Sequence, residues 1–271
     1  MKPNELHFII LSMNRACQLN AFLSSMYRML PENPEIKLSV LYKVSNNDYE
    51  QGYDVVKSAY PNINYHRETI IKEDIRVLSS DPNIRYIGFF CDDDVWKDPL
   101  SFSSEEFEEF DTNQQIISLS LRMSPLINKC YSMGGISTPP PNFGGPLHVW
   151  DWTDPALSGD WSYPMSVDGG IFRKSLIDFY LDNIPFRNVT ELEGHMAAAS
   201  QRHIPKMICF KDAPLFNIPL NIASEISTNI NMNISKEYLN ERFLKGDRID
   251  SAFYAGFKNV SPHQEVPLRW K

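Results

Sequence analysis

Four short apolar runs, rich in β-branched and aromatic residues, alternate with helix-period stretches over residues 1–98. The runs are LHFIIL (6–11), IKLSVLYKV (36–44), INYH (63–66) and IRYIGFFC (84–91). Between them lie residues 16–30, 48–60 and 69–79. The first of these carries Leu19, Phe22, Leu23, Met26 and Leu30 at helical spacing, and Pro31 and Pro34 end it. Strand and helix in strict alternation, with short connections, commit a chain to a mainly parallel sheet flanked by helices, an α/β fold of Rossmann type. Ligands of such sheets bind at the carboxyl ends of the strands. The polar residues leaving strands one, two and four are therefore expected on one edge: Ser12, Asn14, Arg15, Ser45 and the acid run Asp92, Asp93, Asp94.

Three adjacent carboxylates directly behind a strand as apolar as IRYIGFFC repel one another unless something neutralises them. Mg²⁺ or Mn²⁺ is the expected neutraliser, because hard divalent cations prefer oxygen ligands. Alternation along extended chain lets Asp92 and Asp94 face one way and Asp93 the other. The competing reading is a solvated acidic turn. Neither GxGxxG nor GxxxxGK follows the first strand, which argues against a dinucleotide oxidoreductase or a P-loop enzyme. A phosphate group would rest instead on a metal, on Arg15 or on Lys72.

The formal net charge is −8 over 271 residues, with no dense Lys/Arg block, so no nucleic-acid partner is expected. The four cysteines are widely spaced and form no CxxC pair, which fits a reducing compartment. No stretch reads as a membrane span or a signal peptide. The expected location is cytoplasmic, with peripheral contact to the inner face of a membrane left open.

The second half is less regular. Residues 101–110 read as an acidic amphipathic helix and 115–121 as a strand. Residues 122–165 are rich in Pro, Gly and Trp, and so long an irregular segment is a candidate lid. Trp150, Trp152 and Trp161 either stack on a sugar or base, or anchor this segment to the sheet. In SVDGGIFRKSLI (166–177), Asp168, Gly169 and Gly170 form a tight turn that lets backbone approach a ligand. Residues 190–203 read as a helix with Thr190 as N-cap and Glu193 completing a capping box. That position also suits Glu191 or Glu193 to serve as a general base. A late strand, KMICF (206–210), a final helix over 235–244 and a tail carrying His263 close the chain.

Taken together, FIILSMNRACQLNAFLSSM, FFCDDDVW, SVDGGIFRKSLI and NVTELEGHMAAA resemble the GT-A glycosyltransferases, in particular the inverting family-2-like enzymes of bacterial polysaccharide synthesis. The resemblance implies one GT-A domain, with residues 1–98 binding a nucleotide sugar and 99–271 the acceptor. It makes FFCDDDVW the DXD motif: Asp92 and Asp94 would meet a Mn²⁺ or Mg²⁺ ion, with His263 able to complete its shell, and Asp92 and Asp93 would meet the donor. Ser12, Asn14, Arg15, Ser45 and Lys72 would serve the nucleotide. Asp168, Gly169, Trp150, Trp152 and Trp161 would lie by the sugars, and Glu193 or else Glu191 would be the base. The implied partners are a nucleotide sugar, a UDP-sugar first, and a glycan or lipid-linked glycan acceptor. Three departures stand out: Ser45 where an acid is usual, ELEG for a Glu-Asp pair, and no QxxRW motif. A metal-dependent nucleotidyltransferase or phosphohydrolase, and a non-catalytic sugar-binding relative, are the alternatives.

Overall fold

The computed structural model describes residues 1–30, 35–102, 107–142, 147–200, 203–223 and 229–271. The expected alternation is present at the N-terminal end: β1 (Leu6–Met13), α1 (Ala16–Met29), β2 (Lys37–Lys43), α2 (Asn47–Ala59), β3 (Asn64–Arg67), α3 (Ile71–Ser79) and β4 (Tyr86–Cys91). There follow β5 (Asp94–Trp96), α4 (Glu108–Thr112), β6 (Ile116–Ser120), β7 (Lys129–Cys130), β8 (Gly135–Ile136), β9 (Leu147–Asp151) and β10 (Gly170–Arg173). The chain ends with α5 (Lys174–Asn183), α6 (Val189–Ala198), β11 (Lys206–Phe210), β12 (Leu215–Asn217) and α7 (Lys236–Leu244). The helix expected over 101–110 is a single short turn, α4, and positions 103–106 lie outside the described residues. Positions 201 and 202 of the expected 190–203 helix also lie outside them.

The main sheet has eight strands in the order β3-β2-β1-β4-β10-β6-β11-β9. β1 pairs in parallel with β2 and β4, β2 with β3, and β6 with β11. β10 runs antiparallel between β4 and β6, so its first residue, Gly170, sits at the edge where the parallel strands end. The order 3-2-1-4 puts the switch of winding direction between β1 and β4. That crevice is where open α/β sheets take ligands.

Both faces of the sheet are covered, as a parallel sheet requires. Along β1, Phe8 and Ile10 join one buried cluster with Phe22, Phe90 and Trp96 beneath α1. Ile9 and Leu11 join the other, with Ile75, Phe89, Ile177 and Trp161. The three tryptophans of the irregular segment belong to this packing. Trp161 is fully buried and donates its indole N–H to the Ile127 carbonyl; Trp150 donates to the Trp161 carbonyl and Trp152 to that of Ile204. The structure thus gives them the anchoring role and not sugar stacking, because ring and N–H are already satisfied inside the protein.

Within β1, His7 is buried and paired with the Ser39 hydroxyl at 2.8 Å. Burial, aided by nearby Lys37, pulls its pKa down to about 4. A histidine held neutral contributes stability above its unfolded value and loses it as pH falls through the interval down to the folded value. Between pH 7 and pH 4 the wild-type chain should lose about 3 kcal/mol more unfolding free energy than His7→Gln, from a shift of roughly 2.5 pH units. Denaturation curves at both pH values check this; parallel losses would contradict it.

Candidate active site

The acid run is fixed by a small second sheet that the local pattern does not reveal. Asp92 and Asp93 turn the chain after β4, and β5 then pairs antiparallel with β12, putting Asn217 opposite Asp94. Asn217 in turn pairs with the C-terminal tail: its N–H donates to the Pro262 carbonyl, and Gln264 N–H donates to its carbonyl. Asp94, Asn217 and His263 are brought side by side by backbone pairing, although Asp94 lies more than a hundred positions before the other two.

All three acids are buried. Arg15, at the start of α1, lies between the first two: one guanidinium nitrogen donates to Asp92 at 3.0 Å and to Asp93 at 2.9 Å. The remaining guanidinium donors go to the side chain and backbone carbonyl of Asn221. Ser12 donates to the second oxygen of Asp92 at 2.7 Å and is itself 2.5 Å from the buried Tyr53 hydroxyl. Burial pushes the Asp92 pKa up to about 6 in spite of Arg15. Asn217 donates to Asp93 at 2.8 Å and lies 3.3 Å from Asp94 and 3.4 Å from Asp168. Its own side-chain carbonyl oxygen is buried without a hydrogen-bond partner among the described residues. Turning the amide round would face that oxygen to three carboxylates, so its orientation follows from charge.

Asp94 and Asp168 lie buried side by side about the Asn217 amide. Burial and the Asp168 charge push the Asp94 carboxyl well up. Asp168, although buried, is held low by His263, by the Asp94 hydrogen bond and by Arg122. His263 Nε2 is 2.9 Å from Asp168 and its Nδ1 is 3.3 Å from Arg122. A neutral ring with its proton on Nε2 donates to the first and accepts from the second. Arg122 also pairs with Asp160 at 3.2 Å. It lies two residues beyond β6, next to β10 at the sheet edge.

Gly169 and Gly170 hold Asp168 in place and do not face a ligand, correcting the expectation of close backbone approach. Gly169 has φ +70°, where an L side chain is strained, and a Cβ there would stand 2.5 Å from Leu215. Its N–H donates to Phe89 and its carbonyl accepts from Leu121, tying β4 to the exit of β6.

The helix after Asp168 starts differently from the capping box expected. Asn188, not Thr190, is the N-cap and accepts from Glu191 N–H. This separates the two candidate bases. Glu191 turns back to Arg187, which lowers its pKa through a hydrogen bond. Glu193 points inward and accepts from Val167 N–H at 3.1 Å; burial raises its pKa, while Arg122 and Ser166 oppose. Lys72 lies elsewhere, its ammonium donating to the Ile184 carbonyl beside Phe186. Asn14, with φ 59°, exchanges two hydrogen bonds with Ser45 and locks the exit of β1 to that of β2. Asn14, Ser45 and Lys72 support loops and do not line the cavity.

One cavity of about 730 Å³ runs along this edge. Its walls include Ser12, Arg15, Asp92, Asp93, Asp168 and Glu193 from the expected set, together with His263. Arg122, Asn217, Asp160 and Asn221 also line it and were not singled out in the sequence. Arg122 and Asn217 carry no local motif; only their positions beside β10 and β5 in the folded sheet mark them. That volume lies within the range of small-molecule sites.

No family model matches the chain. Over 207 residues, 68% of its length, it is 22% identical to the bifunctional glycosyltransferase pgtA of Dictyostelium discoideum. It spans about a quarter of that relative, 26% of its length. Among solved structures, S. aureus TarS 1–349 in complex with UDP-GlcNAc gives a TM-score of 0.48 at 13% identity, covering 90% of this chain and 65% of that one. Mannosyltransferase PcManGT from Pyrobaculum calidifontis, in complex with GDP-Man and Mn²⁺, gives 0.35 at 9% identity over 66% of this chain and 48% of its own. A cytidylyltransferase from Leptospira borgpetersenii gives 0.46 at 10% identity over 89% and 94%.

Arg122 is the cation that the buried pair Asp160 and Asp168 depends on. Arg122→Met should lower stability by about 3–5 kcal/mol, the usual cost of stranding buried charge, with Arg122→Lys intermediate. Urea denaturation checks this, and a Met variant as stable as wild type would contradict it.

Proposed function

We propose that this chain transfers a sugar from a nucleotide-sugar donor to a hydroxyl of a glycan acceptor, with inversion at the anomeric carbon. One observation carries the reading: Asp92 and Asp93 of the acid run and an inward-facing carboxylate on a separate helix, Glu193, line the same cavity at the switch point of the sheet. The β1–β4 half would hold the nucleotide and the remainder the acceptor.

Asp92 and Asp93, their mutual repulsion cancelled by Arg15, line the wall of the cavity. Carboxylates accept hydrogen bonds from vicinal hydroxyls, which suits a ribose. Glu193, its pKa raised by burial, is suited to take the proton of the acceptor hydroxyl as that oxygen attacks the anomeric carbon. The bond from that carbon to the diphosphate breaks, and the leaving diphosphate takes the electron pair.

A divalent cation fits the other end of the acid run. Among the described residues, no three His, Cys, Asp or Glu side chains stand as a ready-made metal cluster. Asp94 and Asp168, however, are two buried carboxylates on one side of the Asn217 amide, and paired hard oxygen donors of this kind suit such an ion. Asp94 and Asp168 would hold the ion, with Asn217 and His263 at hand; Asp92 is committed to Ser12 and Arg15. When bound, Mg²⁺ or Mn²⁺ would act as a Lewis acid toward the departing diphosphate. Among the described residues no helix is long and apolar enough to cross a membrane.

Two substitutions test these roles with release of nucleoside diphosphate as the assay. Glu193→Gln should leave donor affinity within about twofold and cut turnover by at least roughly 100-fold, the scale of general-base catalysis. Glu191→Gln should change neither; the reverse pattern would move the base to Glu191. Asp94→Ala should abolish the Mn²⁺ dependence of nucleoside-diphosphate binding, and Mn²⁺-dependent binding retained in that variant would refute the metal assignment.

A further inference from the structure

The far end of the cavity carries an ion pair that neither the acid run nor the base absorbs. Lys43, the last residue of β2, and Glu68, just beyond β3, both line it and meet at 3.0 Å. Glu68 N–H donates to the Tyr42 carbonyl, which continues the β2–β3 ladder and fixes where the carboxylate starts. One oxygen of Glu68 takes the lysine; among the described residues the other has no hydrogen-bond partner, and the side chain is only 15% exposed. Leu11, Met13 and Leu41 form apolar wall beside the pair. The subsite is therefore a greasy slot with a carboxylate and an ammonium at its end.

Its distance from the acid run follows from the sheet. β2 and β3 are the second and third strands from β4. At about 4.8 Å per strand that is roughly 10–14 Å, the reach of a nucleoside whose sugar meets Asp92 and Asp93. We infer that Lys43 and Glu68 read the base of the donor nucleotide, and that the base they take is guanine. The inference rests on the nucleotide-sugar reading above and departs from the UDP-sugar first expected.

The reason is the pattern of donors. Guanine presents two adjacent N–H donors beside one carbonyl. A carboxylate accepts both in a fork, and an ammonium donates to the carbonyl. Uracil offers a single N–H flanked by two carbonyls, so the second carboxylate oxygen would face a lone pair. Adenine and cytosine offer one amino group next to an acceptor, which leaves that oxygen unmatched. The existing ion pair does not hold the subsite shut, because Lys43 is half exposed and such pairs contribute little. Leaving a polar partner unmatched is what lets a built site reject the wrong ligand.

Calorimetric titration of the full chain with GDP, UDP, CDP and ADP, each with Mn²⁺, tests this. GDP should bind at least tenfold tighter than the other three. Glu68→Gln, a conservative change at a partly exposed position, should remove that preference by weakening GDP at least tenfold and UDP by less than twofold. If UDP binds tighter than GDP, or if Glu68→Gln leaves the GDP affinity unchanged, the base assignment is wrong while donor binding stands. If none of the four binds, the nucleotide-sugar reading falls with it.

Discussion

Four buried carboxylates, Asp92, Asp93, Asp94 and Asp168, crowd one end of a parallel sheet, and the architecture around them is a solution to that charge. An unpaired buried carboxylate is costly enough to protonate rather than stay charged. Here Arg15 serves two of the acids, Arg122 and His263 serve Asp168, and burial beside Asp168 pushes the Asp94 carboxyl well up. Each compensating group arrives on a different element: the start of α1, the exit of β6 and the C-terminal tail. The tail reaches the switch point through its pairing with Asn217 and through His263. Compensation and construction of the site are the same set of contacts.

That arrangement also grades the cavity. At the β1–β4 crevice the acids are neutralised by a permanent cation, since a guanidinium does not lose its proton. One strand further along, at β10, Asp168 rests on Arg122 and His263, and burial pushes the Asp94 carboxyl beside it well up. Beyond it stands Glu193, raised by burial against the pull of Arg122. At the opposite end Lys43 and Glu68 offer a polar edge within an apolar slot. A ligand that is planar at one end, anionic in the middle and hydroxyl-rich at the other matches this gradient.

How much of this could be read from the sequence depended on range. The four strands and three helices of the N-terminal half were legible because their signals are local: apolar runs, helical spacing and Pro breaks. The edge that gathers Ser12, Arg15 and the acids followed from topology alone. What was not legible came from pairing across long separations. β5 with β12, and Asn217 with the tail, are three-residue or single-residue pairings with no periodicity of their own. Arg122 was invisible for the same reason, since nothing beside it in the chain explains a buried arginine. The tryptophans were open because an indole satisfied by a distant carbonyl looks, in sequence, the same as one awaiting a sugar. T-x-x-E fits a capping box on Thr190, whereas Asn188, two residues earlier, caps in its place and frees Glu193 to face the cavity.

The central claim is that the neutralised acid edge is the nucleotide-sugar site, and the thermal unfolding midpoint in the presence of nucleotide sugars and their diphosphates tests it most directly. A ligand that binds only the folded chain must raise the midpoint, by an amount that grows with concentration over its dissociation constant. The account predicts a rise with at least one nucleotide sugar, larger when Mn²⁺ is present and lost in Asp94→Ala. No rise with any of them, at millimolar concentration and with the metal present, would contradict it.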